Sequence, residues 1–229
     1  MNTEAFLSLL QFSDGLFPTG AYAHSFGLET CVQSGSVRDA TGVAEFLRSY
    51  LEFSAGPVDA VAAVCVWRAG KAEDLAGCFA LDENLDARKA ASESRNASRQ
   101  MGRQTLRVAT HMIHHRLIDE FFAAAENELT PAHHAVAFGM VGSALDWLAP
   151  EMVSAYLFSS AGALVGAALR LLPLGQLAGQ RILGGVRPLI AQLAGKIPDL
   201  LEDEMWSFSP SLEIAGMRHA TLDARLFRS

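Results

Sequence analysis

Charge is scarce in this chain. Only 19% of its 229 residues are Asp, Glu, Lys or Arg, against a usual quarter, while 50% are apolar. That balance excludes global disorder. It leaves an unusually large core, or apolar surface covered by a partner, as the ways to keep such a chain folded in water. Cysteine is equally sparse. Cys31, Cys65 and Cys78 stand far apart with no paired or metal-binding spacing, their odd count argues against a disulfide framework, and they read as small hydrophobes in a reducing compartment. The start Met-Asn-Thr-Glu lacks the basic region of a signal peptide. A net charge of −7 disfavours a general nucleic-acid binder, whose affinity comes largely from neutralising phosphates. No Gly-x-Gly-x-x-Gly or Gly-Lys-Ser/Thr loop, no Gly-x-Ser-x-Gly elbow and no His-Glu-x-x-His pair is present, so the standard nucleotide, hydrolase and zinc-protease chemistries are without their residues. Adjacent Asp119 and Glu120 do not face one cleft, which leaves paired-carboxylate hydrolysis unsupported.

Strand signals are missing too, and what is present is helical. Asn2 or Thr3 caps a helix over 4–11. Helical spacing continues over 22–34, from Asp39 or Thr41 through Val43, Phe46, Leu47, Tyr50 and Leu51, and over 59–69 after a break at Gly56-Pro57. A weaker helix over 75–85 precedes a long helical signal over 87–125. Thr130-Pro131 reads as cap and first residue of another helix, to about Leu148. Beyond Pro173-Leu174-Gly175, helical spacing runs from Gln176 to about Leu193, interrupted by Gly184-Gly185 and Pro188. The expectation is an all-α, single-domain, bundle-like array over 1–210, with a short C-terminal tail over 211–229 that either packs on its own domain or orders on binding a partner. At this length the compact chain should expose roughly 10,000 Å², burying about 70% of its extended surface.

Met152 to Leu169 contains no charge over 18 residues, the lower bound for a membrane span. Its Ala, Gly and Ser content, and the Gly162/Gly166 pair that lets two helices approach closely, favour a buried core helix.

Three groups of side chains carry possible chemistry. His111, His114 and His115 would share a face if one helix ran through them, and His133-His134 form a second cluster; imidazole suits nickel or zinc. The alternative is ordinary solvated or hydrogen-bonded histidine. Arg95, Arg99, Arg103 and Arg107 recur every fourth residue, and 88–107 holds six basic residues against Glu93 alone. That ridge is either a solvated helix face or a docking face for an acidic partner. Finally, the tail interleaves apolar Leu212, Ile214, Met217, Leu222, Leu226 and Phe227 with Arg218, Arg225 and Arg228, a pattern suited to an interface.

Several blocks, in order and spanning nearly the whole chain, resemble the UreF family of urease accessory proteins. They are LQFSDGLFPTGAYAHSFGLE at 10–29, SRQMGR at 98–103, RLLPLGQ at 170–176, GQ at 179–180, MRH at 217–219 and RLFRS at 225–229. The resemblance departs at Leu222-Asp223, where the family carries a Gln-Tyr pair. It implies an all-helical, non-enzymatic cytoplasmic protein with no cofactor of its own. Such a protein binds the accessory protein UreD (UreH), then the GTPase UreG, and presents them to apo-urease for nickel insertion, with the family often forming homodimers. Carried over residue by residue, it points to Asp14, His24, Ser25 and Glu29 near the N-terminus. In the tail it points to Met217, Arg218, His219, Arg225, Phe227 and Arg228. The Arg95/Arg99/Arg103/Arg107 ridge joins them as candidate partner-binding residues. Nickel carriage by the histidines, and regulation of UreG by an arginine such as Arg225 reaching its phosphates, are the alternative readings. Nucleic acid and membrane are not expected partners.

Overall fold

The computed structural model describes residues 1–229 and contains helices only, exposing 10553 Å², close to the expected surface. Local caps set the early boundaries. The Asn2 side chain accepts the Ala5 N–H at 2.8 Å and starts α1 (Thr3–Ser13). Asp39 accepts the Gly42 N–H at 3.0 Å and starts α3 (Ala40–Tyr50); between them lies the short α2 (Leu28–Gln33).

The core is organised on α4 (Val61–Lys71) and α8 (His134–Ala144). Every residue of α8 from Ala135 to Ser143 is buried, so it is apolar on all sides rather than amphipathic. The two helices approach closely because Gly139 faces the Ala63 backbone, where a Cβ would collide with the Ala63 carbonyl oxygen. Around this pair stand α5 (Leu75–Arg88), α6 (Ser92–Met112) and α9 (Ala149–Leu171), and α10 (Gln176–Ala194) packs farther out, on α9 and α3. Helix α9 is long and apolar enough to cross a membrane, yet Met152, Val153, Tyr156, Leu157, Leu164 and Val165 form a buried stripe against α10 and its other neighbours. It is a core helix with one open face.

Five local expectations are corrected. The 22–34 segment is not one helix: Ala21–Ala23 form a single 3-10 turn, and Phe26 and Gly27 then adopt left-handed φ of 49° and 87°, turning the chain before α2. Gly56-Pro57 does not stop the chain, which widens into π-type turns over Leu51–Ala60 that accommodate the proline. The 87–125 signal divides at extended Ile113 and His115 into α6 and α7 (Arg116–Glu126). Folding α7 back onto α6 buries Leu117, Ile118, Phe121 and Ala125, which a straight helix would leave in water. Thr130 caps no helix. Its hydroxyl donates to the fully buried Asp82 carboxylate at 2.6 Å, and Asp82 also accepts the N–H groups of Ala132 (2.6 Å) and His133 (2.9 Å), so α8 begins only at His134. Pro188 sits inside a continuous α10. The Gly184 carbonyl that it cannot bond accepts instead from Arg187 Nε at 3.4 Å.

After two 3-10 turns, α11 (Pro210–His219) packs on α2 and α6, and the chain beyond it runs back along the 22–29 loop.

A candidate interaction site at the C-terminal clasp

Glu29 is the centre of this arrangement. Positioned by the Phe26-Gly27 turn, its carboxylate is only 2% exposed. It accepts the Leu226 N–H at 2.7 Å, the Phe227 N–H at 3.1 Å and His219 Nε2 at 2.9 Å. Burial by itself raises the Glu29 pKa. The Leu226 N–H, the His219 ring and the Phe227 N–H together outweigh it and hold the carboxyl below its ordinary value. His219 Nδ1 lies 2.6 Å from Glu93 Oε2, and Arg225 Nη1 donates to Glu93 Oε1 at 3.0 Å. One buried network therefore ties α2, α6, α11 and the last residues together.

A second set of bonds extends it. The main-chain oxygen of Ser229 accepts from the Ser25 N–H (2.5 Å), the Ser25 hydroxyl (2.9 Å) and the Phe26 N–H (3.2 Å). His24 Nδ1 lies 2.8 Å from the Ser229 hydroxyl, and the Arg228 N–H donates to the Ala23 carbonyl at 2.9 Å. Burial first, and the Arg228 charge second, push the His24 pKa down. The guanidinium of Arg170, from the end of α9, is sandwiched between the rings of Tyr22 and Phe227, 4.1 Å from each centroid, and donates to the Tyr22 carbonyl at 2.5 Å.

The clasp sorts the candidate residues into two roles. His24, Ser25, Glu29, His219 and Phe227 are buried, so they hold the segment in place and present nothing outward. Met217, Arg218 and Arg228 are exposed, Arg225 is partly engaged by Glu93, and Leu226 is 60% exposed beside them. Tyr22 and Leu16 add exposed apolar surface from the N-terminal loop, at 74% and 93%. Asp14 is exposed, but its Oδ1 accepts the Leu16 N–H at 2.7 Å and shapes the loop that carries Leu16. A groove of about 1030 Å³ leads inward from Leu16 and Tyr22, past Gly162 and Gly166 on α9, to the buried Asp59–Lys89 ion pair at 2.6 Å.

Comparison with known proteins gives this arrangement its context. Residues 37–187 match the UreF family model. The chain is 32% identical over 227 residues to the urease accessory protein UreF of Bacillus sp. (strain TB-90), covering 97% of this chain and 98% of that one. It is 33% identical over 224 residues to the UreF of Nostoc sp. (98% and 96%), and 32% identical over 229 residues to that of Geobacillus kaustophilus (100% of both). This chain belongs to the UreF family. A role in urease maturation follows from that membership.

In this family member the arginine ridge is mostly spoken for. Arg95 donates to the Lys89 carbonyl at 3.0 Å, Arg99 forks the Asp86 carboxylate through two bonds of 2.7 Å, and Arg107 lies 3.5 Å from Glu126. Arg103, like Arg95, forms no ion pair, and its Nε is buried without a hydrogen-bond partner. The histidines are not gathered. His111 lies in the last turn of α6, its Nδ1 2.8 Å from the Arg107 carbonyl, whereas His114 and His115 lie beyond the helix, so the shared face is lost. His133 is wedged between Ser98 Oγ (3.0 Å) and Asp86 (2.9 Å), and burial pushes the His134 pKa down to about 4. No group of three or more His, Cys, Asp or Glu side chains is arranged to hold a metal ion.

Sequence reasoning did not single out Tyr22, Glu93 or Arg170 as site residues, although Tyr22 and Arg170 fall within the blocks quoted for the resemblance. Asp82 was readable in principle. It falls on the stripe of Cys78, Leu81 and Leu85, where a carboxylate is tolerated only with several donors.

Proposed function

We propose that this chain is a non-catalytic scaffold of urease maturation that bridges the accessory protein UreD (UreH) and the GTPase UreG and supports nickel insertion into apo-urease in the cytoplasm. The observation that carries this reading is the clasp. The two ends of the chain, which bear most of the quoted family blocks, meet in one place, and a buried polar network there supports an outer surface of Met217, Arg218, Leu226 and Arg228 beside Tyr22. An ordered rim of arginine around apolar side chains suits a protein partner. Residues 211–229 are the partner-binding element in this reading and 1–210 the body that supports it. Nucleotide and Mg²⁺ belong to the GTPase. The open face of α9 with Gly162 and Gly166, and the exposed Phe6, Leu7 and Leu10 of α1, are the surfaces through which two copies would associate.

The test is co-purification of UreD and UreG with the full chain, with a chain ending at Pro210, and with Arg218→Ala/Arg228→Ala, alongside the nickel content of urease from the same cells. The full chain should recover both partners, the truncation neither, and the double variant a reduced yield; nickel content should fall in parallel. Full recruitment by the truncated chain would refute the assignment of the tail, and full nickel loading of urease in cells without this chain would refute the scaffold role.

A further inference from the structure

Between α10 and α11 the chain crosses the surface as a strap over 199–209 that is pinned from beneath. The Arg68 guanidinium donates to the carbonyls of Pro198 (2.5 Å) and Leu200 (2.7 Å), and Arg88 Nη1 donates to that of Met205 at 2.9 Å. The Trp206 N–H donates to the Pro57 carbonyl at 3.3 Å, and the Phe208 N–H to the Phe53 carbonyl at 3.1 Å. Pro57, four positions after Phe53, has no N–H to offer that carbonyl, so the widened turns over 51–60 hold the strap through their own backbone. Met205 and Ser209 are buried, and between them the large side chains turn outward. Trp206 is 48% exposed and Phe208 74%, and the exposed Phe53 ring has its centroid 6.3 Å from that of Trp206. Exposed Leu201 lies on the same strap. These aromatic rings, gathered in water on a fixed backbone, make an apolar face that the chain itself leaves uncovered.

Charge decides what that face takes. Glu52 beside Phe53, and Asp199, Glu202, Asp203 and Glu204 along the strap, are five carboxylates of which none forms an ion pair. Three cations stand near them. Arg68 and Arg88 are half-buried and spend hydrogen bonds on strap carbonyls, so the exposed groups are Asp199, Asp203 and Glu204 against Lys196 alone. We propose that the Phe53/Trp206/Phe208 face docks an arginine-bearing segment of a partner protein, with a guanidinium lying over an aromatic ring and pairing with a strap carboxylate. The planar guanidinium is the cation that both stacks on a ring and forks a carboxylate. A purely apolar partner would strip water from the carboxylates and return no cation, and a nucleic acid or anionic membrane would meet their repulsion. The proposal goes beyond the assembly role above. It names a surface at the opposite end of α11 from the clasp residues Met217 and Arg218, and the charge that its partner brings. A second copy of this chain, with its own exposed Arg218 and Arg228, is the competing occupant that the experiment separates.

The experiment captures peptides on the immobilised full-length chain. One library of nonapeptides has Arg-Leu-Arg fixed at its centre, a second has Gln-Leu-Gln, a third has Glu-Leu-Glu, and all three have random flanks. Sequences enriched from the Arg library should bind at least about tenfold more tightly than their Gln counterparts and at least about twofold more tightly than Lys counterparts. Their binding should weaken as salt rises from about 50 to about 300 mM. Trp206→Ala and Phe208→Ala should each lose about fivefold or more, as should the double variant Asp203→Asn/Glu204→Gln, while Leu177→Ala, exposed on α10, should stay within about twofold. The comparison among peptides uses the unmodified chain, so it stands even if a strap variant folds poorly. Equal capture of the Arg and Gln libraries, preference for the Glu library, Lys forms that match the Arg forms, retention by folded Trp206→Ala, or no enrichment up to about 1 mM peptide would each overturn the proposal. Sedimentation of the peptide-free chain that shows self-association abolished by Trp206→Ala would overturn it too, by giving the face to a second copy. Co-purification of UreD and UreG is scored separately, so a negative strap result with intact recruitment retires the strap alone.

Discussion

Replacing Glu29 by glutamine keeps the shape of the side chain and removes its charge, which makes it a sharp probe of the clasp. The native carboxylate accepts from Leu226, Phe227 and His219 at 2.7–3.1 Å. The amide retains one acceptor oxygen and turns its NH₂ toward donors. With its oxygen in the Oε2 position the amide keeps Phe227 and His219 and loses the Leu226 N–H; hydrogen bonds to charged groups contribute about 1.5–3 kcal/mol each and neutral ones about half that, so losing one and weakening two costs about 3 kcal/mol. The cost falls on the tail, since the buried core of α4, α8 and α9 does not involve Glu29. It corresponds to an increase of about 150-fold in the opening equilibrium of the last residues. Hydrogen exchange at the Leu226 and Phe227 amides reads that equilibrium directly, and amides in the middle of α8 serve as an internal control. Because the native Glu29 carboxyl is held below its ordinary value, its stabilisation is complete above that value and declines as pH falls through the depressed one. Acid should therefore open the native clasp, while the glutamine variant, which has no carboxyl there to protonate, should lose this limb of the pH profile. Acceleration of less than about fivefold at Leu226 and Phe227 would show that the network in which Glu29 sits does not hold the tail.

Two further expectations concern the body. Asp82→Ala strands the Thr130 hydroxyl and the Ala132 and His133 N–H groups in the interior, so the variant should lose about 3 kcal/mol or more, and calorimetry should find the melting temperature lower by about 6–12 °C; an unchanged melting temperature would remove Asp82 as the anchor of that loop. Gly139→Ala drives a methyl group into the Ala63 carbonyl and should cost about 1–3 kcal/mol in denaturant titration, whereas Gly166→Ala, with open space at its Cβ, should gain about 1 kcal/mol in helix propensity; equal effects at the two sites would contradict the close crossing of α4 and α8.

What was readable from sequence depended on the range of the interaction. Caps act over three residues, and the starts of α1 and α3 were legible to within two candidates each, Asn2 or Thr3 and Asp39 or Thr41, of which Asn2 and Asp39 make the bond. The helical content followed from spacing alone. Failures came where a distant group overrode a local signal. Thr130-Pro131 has the residues of a helix start, but Asp82, 48 positions earlier, takes the threonine hydroxyl and the two N–H groups that follow. The 87–125 signal is continuous because helical spacing does not record a fold-back; the apolar face of α7 needs α6, and only packing reveals that. The site shows the same division. Composition identified the tail as apolar and arginine-rich, and the family resemblance named Glu29 and His219, but nothing local to either residue indicates that they touch across 190 positions. Conversely, the arginine ridge looked uniform from its spacing. Only the placement of Asp86 and Glu126 distinguishes Arg103 from the arginines on either side of it.

The bond between His24 and Ser229 closes a loop of 205 residues. Such a contact forms late in folding, since loop closure opposes it until the intervening helices have packed. A chain shortened by a few residues still holds every helix of its core but lacks the Ser229 acceptor, the Arg228 bond to Ala23 and the Phe227 side of the arginine sandwich. The surface around the clasp is thus composite: neither the 22–29 loop nor the last residues can form it without the other.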